Sequence, residues 1–156
     1  MELVLKKLTE QIIGAAIEVH RELGPGLLES AYEECFCYEL SGRKLHFVRQ
    51  HSLPLRYKDV AIDCSYRIDL IVQDLVVVEV KAVETLTDVH QAQLLSYLRM
   101  GGWPVGLMIN FNVARLVDGI VRRVSSNAYS FPPLRDLRAS VVNEAAASNP
   151  VPSKRI

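Results

Sequence analysis

The sequence predicts an α/β domain built around one mixed β-sheet. Two N-terminal segments carry apolar residues at helical spacing, and between Leu45 and Val83 the period changes to that of strands. A further helix and a buried strand follow. The predicted order is helix, helix, three strands, helix, strand, which is typical of an α/β domain.

Two helices open the chain. Apolar residues follow helical spacing from Leu8 to Leu23, and the sequence GPG at Gly24 to Gly26 ends this segment. A second helix is expected from about Leu27 to Leu40, with Ser41-Gly42 closing it. Both helices precede every predicted strand.

Three strand-like runs come next, FVRQHSLPLRYKD, VAIDCSYRIDLIV and LVVVEVKAV, separated at Lys58-Asp59 and Gln73-Asp74. Connections this short favour an antiparallel meander. Pro54 has no N–H to donate to a ladder, so the first strand is expected at a sheet edge or at a bulge.

The second half continues with a helix, TDVHQAQLLSYLRMGG, capped by Thr87 and stopped by Gly101-Gly102. A helix that crosses to the buried strand WPVGLMINFN favours parallel addition to the sheet. The run GIVRRVS predicts a further short strand. Residues 126–156 show no firm period, so we expect one domain over 1–125 and a loosely attached C-terminal tail over 126–156.

Composition narrows the class of protein. The chain has 156 residues, is 49% apolar and has a net charge of zero, which argues against an indiscriminate polyanion binder. No apolar run reaches the ~18 residues of a membrane span, and the charged N-terminus is unlike a secretory signal. We therefore expect a cytoplasmic location and no membrane partner. Three cysteines without a C-x-x-C pair support neither a disulfide framework nor a four-cysteine metal site, so we expect buried thiols.

Basic residues concentrate between residues 43 and 58, a segment with five Lys or Arg and no acid. Two interpretations stay open for this segment. It is either part of a phosphate-binding face or a solvated strand edge at which cations discourage aggregation.

Three charges interrupt the apolar strands of the meander. Glu79 and Lys81 are two residues apart, so their side chains leave the same face of the strand. The position of Asp69 depends on the following loop. A two-residue turn at Gln73-Asp74 would place Asp69 opposite Val78, whereas a three-residue loop would pair it with Glu79.

If the two carboxylates converge, they repel each other unless a cation lies between them, and such an oxygen site suits Mg²⁺ or Mn²⁺. Lys81 beside that metal would position or activate water for hydrolysis of a phosphodiester. The alternative is a cross-strand salt bridge, in which Lys81 neutralises one carboxylate and Asp69 faces elsewhere.

The pattern of Asp69, nine residues, then Glu79-Val80-Lys81 resembles the D…E-x-K core of the PD-(D/E)XK nuclease superfamily, although Ile68 stands where the superfamily often has proline. The resemblance implies a restriction-endonuclease-like αβββαβ core with a mixed central sheet flanked by helices. It also implies catalytic roles for these three charged residues.

A second resemblance lies in GLLESAY, which contains Gly26-x-x-Glu29-x-x-Tyr32 and is similar to the G-x-x-E-x-x-Y protein family; it extends over residues 8–124. It implies that Glu29 is a further catalytic carboxylate and metal ligand. Without it, Glu29 is a first-turn carboxylate favoured by the helix dipole, and Tyr32 is a core aromatic.

On the later helix, Gln93 and Tyr97 are four residues apart with His90 one turn earlier, which predicts a polar stripe. Gln93-x-x-x-Tyr97 resembles the Q-x-x-x-Y motif of RecB-like nucleases, which implies that these residues contact nucleic acid or support the catalytic groups. His90 is either such a supporting group or a surface histidine.

Two functions remain. The first is a Mg²⁺- or Mn²⁺-dependent nuclease acting on nucleic acid, with DNA favoured. The second is a catalytically inactive protein of the same fold that binds nucleic acid or another protein. A nuclease of this size often needs a homodimer or another protein partner to grip a duplex.

Overall fold

Helices pack on both faces of a five-stranded sheet in the computed structural model, which describes residues 1–126. Within that range the helices are α1 (Glu2–Leu23), α2 (Glu29–Gly42) and α3 (Asp88–Gly101). The strands are β1 (Phe47–Tyr57), β2 (Val60–Val72), β3 (Val76–Lys81), β4 (Val105–Asn110) and β5 (Ile120–Val124), with a 3₁₀ turn at Leu116–Gly119. The predicted tail lies outside the described residues from 127 onward, and the domain boundary at 125 stays a prediction.

The sheet follows chain order, β1-β2-β3-β4-β5. Only β3 and β4 are parallel in this sheet, and α3 connects them. The predicted meander, the parallel addition and the mixed sheet are therefore confirmed. The strand β1 lies at an edge and its register shifts between Pro54 and Arg56, so both consequences of the proline are found.

The first helix is longer than predicted. It begins at Glu2 because Leu5 and Leu8 continue the buried stripe of Ile12 toward the N-terminus at three- and four-residue steps. The second helix begins at Glu29, with Leu28 as its N-cap.

Two apolar cores lie on opposite faces of the sheet. One buries α1 and α2 against the even-numbered residues of β3, such as Val78, and the other buries α3 against odd-numbered residues, such as Val77. Phe36 and Trp103 are among the largest fully buried side chains of the two cores. Burial on both faces explains why β3 and β4 read as continuous apolar runs.

The cysteines correct one expectation. All three are free, but only Cys37 is buried, whereas Cys35 is partly exposed and Cys64 is exposed on β2. The strand around Cys64 extends beyond the helices that cover the rest of the sheet, so no core reaches it. Within the described residues no helix has both the length and the apolar content to span a bilayer.

Candidate active site

The loop between β2 and β3 sets the register on which the site depends. Gln73 and Asp74 both adopt left-handed backbone conformations, with φ of 52° and 55°. The strands pair Val72 with Val76, so the loop has three residues and not two. Continuing this register by one step places Asp69 opposite Glu79, as the three-residue alternative required.

The hydrogen-bonded ladder between β2 and β3 ends at the pair Leu70 and Val78, one step before Asp69 and Glu79. Beyond that pair, the two carboxylates accept hydrogen bonds from the backbone. The backbone N–H of Asp69 donates to Oε1 of Glu79 at 3.1 Å. The backbone N–H of Val80 donates to Oδ2 of Asp69 at 2.9 Å. The strands thus part where the two side chains enter, and each carboxylate satisfies a donor that the ladder leaves unpaired.

Both carboxyl groups resist ionisation. Burial raises the pKa of Glu79 to about 8, and the negative charge of Asp69 adds to this rise. Burial also raises the pKa of Asp69, although the hydrogen bond from Val80 opposes the shift. Lys81 lowers both values but does not reverse either shift. If both groups were ionised they would repel each other, and either a proton on Glu79 or a bound cation would relieve that repulsion.

Lys81 follows Glu79 on the same face of β3 and is partly exposed. Its ammonium group forms no ion pair with Asp69 or Glu79 in the described part of the chain. The cross-strand salt bridge that the sequence also allowed is therefore not formed. The ammonium group remains close enough to both carboxyls to influence their ionisation.

The alternation of faces along β2 breaks at Asp69. Ile68 packs in the core beneath α3, whereas Leu70 packs in the core beneath α1 and α2. Two residues two apart on a regular strand would share one face. Gln50, which lies across from Asp69 in the β1 register, has a left-handed φ of 49°. This local irregularity turns the Asp69 side chain toward α2.

A cavity of about 180 Å³ opens at this point between α2 and the sheet. It is lined by Glu29, Ser30, Glu33, Gln50, Asp69 and Val80. Glu29 is the first residue of α2, and its Oε1 accepts a hydrogen bond from the backbone N–H of Ala82 at 3.2 Å. Glu29 is thus a first-turn carboxylate that also reaches the end of β3, immediately after Lys81.

Two polar residues of this cavity were missed by sequence reasoning. Glu33 is 9% exposed and accepts hydrogen bonds from Arg49 and Gln50, each at 2.8 Å. Gln50 also donates to Oδ1 of Asp69 at 3.4 Å. The signal for Glu33 was its spacing of four residues from Glu29, which places both on one helical face. Gln50 had no comparable signal.

The structure gives Tyr32 a supporting position. It is fully buried and stacks on Phe111 with a centroid distance of 4.6 Å. Its hydroxyl donates to the carbonyl of Gly24 at 2.6 Å and accepts from the N–H of Leu27 at 3.1 Å. A fully buried side chain with both hydroxyl contacts made to the backbone fits a supporting role. Tyr32 instead holds the loop that leads to Glu29.

His90 also has a structural partner. Its Nδ1 accepts from the backbone N–H of Thr87 at 3.1 Å, and its own N–H donates to the Thr87 hydroxyl at 3.3 Å. This reciprocal pair is a capping box at the start of α3. The predicted Thr87 cap is confirmed, and Gly102 ends the helix with a left-handed φ of 74°.

Gln93 and Tyr97 lie on the α3 face that approaches the carboxylates. Tyr97 is 4% exposed, and burial followed by the charge of Glu79 raises its pKa to about 12. Its hydroxyl therefore stays protonated. Gln93 lines the same groove as Tyr97, and its side chain opposes the rise in the Tyr97 pKa. The two residues of the Q-x-x-x-Y spacing are thus brought together with the sheet carboxylates.

A groove of about 370 Å³ leads away from Tyr97 between α3 and the hairpin of β1 and β2. Beyond the register shift this hairpin projects from the fold, and residues 56–67 are all exposed. Tyr66 on the hairpin is 39% exposed, and its ring lies 5.8 Å from that of Tyr97. Arg99 also lines the groove. The groove therefore offers an aromatic surface and a cation beside the candidate site.

The residues present are of the kind that binds a hard divalent cation, because Asp69 and Glu79 both supply carboxylate oxygens. The side chains are not, however, arranged as a complete set of metal ligands. Nowhere in residues 1–126 do three or more His, Cys, Asp or Glu side chains lie together as a ready metal site. Glu29, the third expected ligand, is engaged by the backbone at Ala82.

Comparison with known proteins gives one match. A search of curated proteins found no significant match, and a search of solved structures found none either. A family model of the PD-(D/E)XK nuclease superfamily matches residues 6–124, well over half of the chain. That range contains all of α2, α3 and the five strands, α1 from residue 6 onward, and all the site residues discussed above. The chain therefore belongs to the PD-(D/E)XK nuclease superfamily.

Proposed function

We propose that this protein is a metal-dependent nuclease that hydrolyses phosphodiester bonds in nucleic acid, with DNA favoured. The observation that carries the proposal is the convergence of Asp69 and Glu79 where β2 and β3 part, with Lys81 next on the same face of β3. The raised pKa values of these two neighbouring carboxyls also support the proposal, because strongly shifted pKa values are common among residues of active sites.

Asp69 and Glu79 would hold Mg²⁺ or Mn²⁺, with Glu29 as the third carboxylate from α2. Nucleases of this superfamily generally use divalent metal ions. When bound, such an ion supplies Lewis-acid stabilisation of the charge that develops on the phosphate. Metal ligands must be deprotonated, so the raised pKa values mean that cation binding competes with protons at neutral pH.

Lys81 would act on water and phosphate. Its ammonium group lies next to the carboxylates and is not committed to an ion pair with them. An uncommitted cation can hydrogen-bond an attacking water and offset negative charge on a phosphoryl oxygen. Gln93 and Tyr97 would hold the substrate side of the site in shape, since Tyr97 remains a neutral hydrogen-bonding group.

The nucleic acid would approach along the groove between α3 and the hairpin. The basic segment 43–58 contributes less to this surface than its composition suggests. Arg43 pairs with Glu39 at 2.8 Å, and Arg49 pairs with Glu33 and Glu34 at 2.8 and 2.7 Å. Arg56 and Lys58 are exposed on the hairpin and remain candidates for phosphate contact.

The alternative is a protein of the same fold that binds nucleic acid or another protein without cleavage. The lack of a ready three-ligand cluster in the described residues favours this alternative.

We also propose that a homodimer or a protein partner completes the grip on a duplex, which sedimentation with and without DNA would test.

The decisive experiment is incubation of the protein with single-stranded, duplex and branched DNA and with RNA in Mn²⁺. Wild type should cleave and Lys81→Ala should not. Equal cleavage by both would indicate a contaminating nuclease and remove the support for the enzyme. Calorimetry provides the second test, because wild type should bind Mn²⁺ and Asp69→Ala should not. Nucleic-acid binding without metal binding would favour the non-catalytic alternative.

A further inference from the structure

Gln50 lies in an unusual conformation beside the candidate site. Its backbone φ of 49° falls in the left-handed region, which residues other than glycine, asparagine and aspartate adopt rarely. The flanking residues Arg49 and His51 stay in ladder register with Leu70 and Ile68. The irregularity is therefore confined to the position facing Asp69, and it turns the Gln50 amide into the cavity.

The amide of Gln50 joins two carboxylates. Its Nε2 donates to Oε1 of Glu33 at 2.8 Å and to Oδ1 of Asp69 at 3.4 Å. The other Asp69 oxygen, Oδ2, accepts from the backbone of Val80. Oδ1 is therefore the oxygen of Asp69 that a side chain holds.

Glu33 is held too firmly to serve as a ligand. Its Oε1 accepts from Gln50 and its Oε2 accepts from Arg49 at 2.8 Å. Arg49 is anchored in turn by Glu34 at 2.7 Å, and these two carboxylates raise the pKa of the guanidinium further. Glu29 differs, since its only described contact is one backbone N–H. Of these two α2 carboxylates, Glu29 would therefore be the one to hold a cation.

We propose that Gln50 is a positioning residue that aims Oδ1 of Asp69 into the cavity, and that Glu33 and Arg49 fix the Gln50 amide. This inference rests on the proposed function, because the oriented carboxylate is a proposed metal ligand. Groups that orient metal ligands without touching the metal commonly change its affinity by roughly 10- to 100-fold when they are removed. Neither Gln50 nor Glu33 belongs to the D…E-x-K pattern.

The test compares Gln50→Leu with Gln11→Leu. Gln11 is the control, because it is exposed on α1 and does not line the cavity. Mn²⁺ affinity is measured by calorimetry, and the thermal midpoint is measured without metal. Gln50→Leu should weaken Mn²⁺ binding about tenfold or more, and Gln11→Leu should leave it unchanged.

A second variant protects the test against misfolding. Gln50→Asn keeps an amide, and asparagine tolerates the left-handed region, but its side chain is one methylene too short to join both carboxylates. It should therefore fold and should also weaken Mn²⁺ binding. Wild-type affinity in a folded Gln50→Asn or Gln50→Leu protein would overturn the inference and leave the proposed function standing.

A double-mutant cycle tests the role of Glu33. If Glu33 acts through Gln50, then Glu33→Gln combined with Gln50→Leu should weaken Mn²⁺ binding much less than the product of the two single effects. A full multiplicative loss would show that Glu33 acts separately, and would overturn its assignment as the anchor. Failure of wild type itself to bind Mn²⁺ would overturn the proposed function and this inference together.

Discussion

Asp69 and Glu79 lie opposite each other where β2 and β3 part, and each carboxylate accepts a backbone N–H from the neighbouring strand, at 2.9 Å and 3.1 Å respectively. The two side chains thus accept backbone hydrogen bonds at the point where pairing between β2 and β3 stops. The hydrogen bonds hold two carboxyls of raised pKa near enough for the charge of Asp69 to raise the pKa of Glu79. A proton on Glu79 or a bound cation would offset the repulsion between the two groups.

The first prediction concerns the pH dependence of stability at Glu79. Its pKa is raised from 4.5 to about 8, so the folded state keeps a proton that the unfolded chain releases. The free energy of unfolding should therefore fall as pH rises between these values, by at most about 1.4 kcal/mol per pH unit. Glu79→Gln should remove this fall and be more stable than wild type at pH 8.

Urea unfolding at pH 5.5 and pH 8, without divalent ions, measures this difference. Every other titrating group is common to both proteins, so the change in their stability difference isolates Glu79 and its coupling to Asp69. A stability difference that stays constant between the two pH values would contradict the buried, protonated state of Glu79.

The second prediction separates the role of Lys81 from metal binding. Lys81→Met should reduce cleavage by about 100-fold or more, because a group that assists proton transfer typically contributes that much. Mn²⁺ affinity should be unchanged or higher, since a competing positive charge has been removed. Lys7→Met, exposed on α1 on the sheet face opposite α3, is the control and should retain cleavage. Parallel loss of cleavage and Mn²⁺ affinity in Lys81→Met would mean that Lys81 only holds the site together.

The third prediction tests the groove between α3 and the hairpin. Tyr66→Ala should weaken the binding of single-stranded DNA by roughly 1–3 kcal/mol, the usual contribution of an aromatic ring that stacks on a base. The measurement is fluorescence anisotropy with a labelled oligonucleotide, in an Asp69→Asn background that prevents cleavage. Tyr38→Ala is the matched control, because Tyr38 is 78% exposed on α2 and lies outside this groove.

An equal effect of Tyr66→Ala and Tyr38→Ala would indicate that the groove does not bind the strand. Arg99→Ala provides a second probe. It should reduce the slope of log affinity against log salt by about one, as expected for one phosphate contact.

The fourth prediction concerns packing at the end of α3. A Cβ at Gly101 would lie 1.8 Å from the Trp103 ring, so Gly101→Ala should destabilise the fold by about 1–3 kcal/mol. Gly42 ends α2 in the same way, but nothing lies within 4 Å of a Cβ there. Gly42→Ala should therefore be neutral or slightly stabilising. Urea unfolding of both variants checks the pair, and equal losses would contradict the predicted clash.

Much of this fold could be read from local patterns. The antiparallel meander, the edge position of Pro54, the Thr87 cap and the stop at Gly102 each follow from a residue whose backbone chemistry has few alternatives. The start of α1 was misplaced because the terminal turns carry charged residues that weaken the apolar pattern. Exposure of Cys64 could not be foreseen, since it depends on how far the hairpin extends past the helices.

The sequence alone determined which charges stand within apolar strands, that Glu79 and Lys81 share a face, and that two loop lengths were possible before them, because side-chain direction in a strand has a period of two. Tertiary structure decided the rest. It selected the three-residue loop, turned Asp69 toward α2 through the irregular pair with Gln50, and brought Glu33 beside it. Such contacts join residues distant in sequence, and only packing of α2 against the sheet determines where they meet.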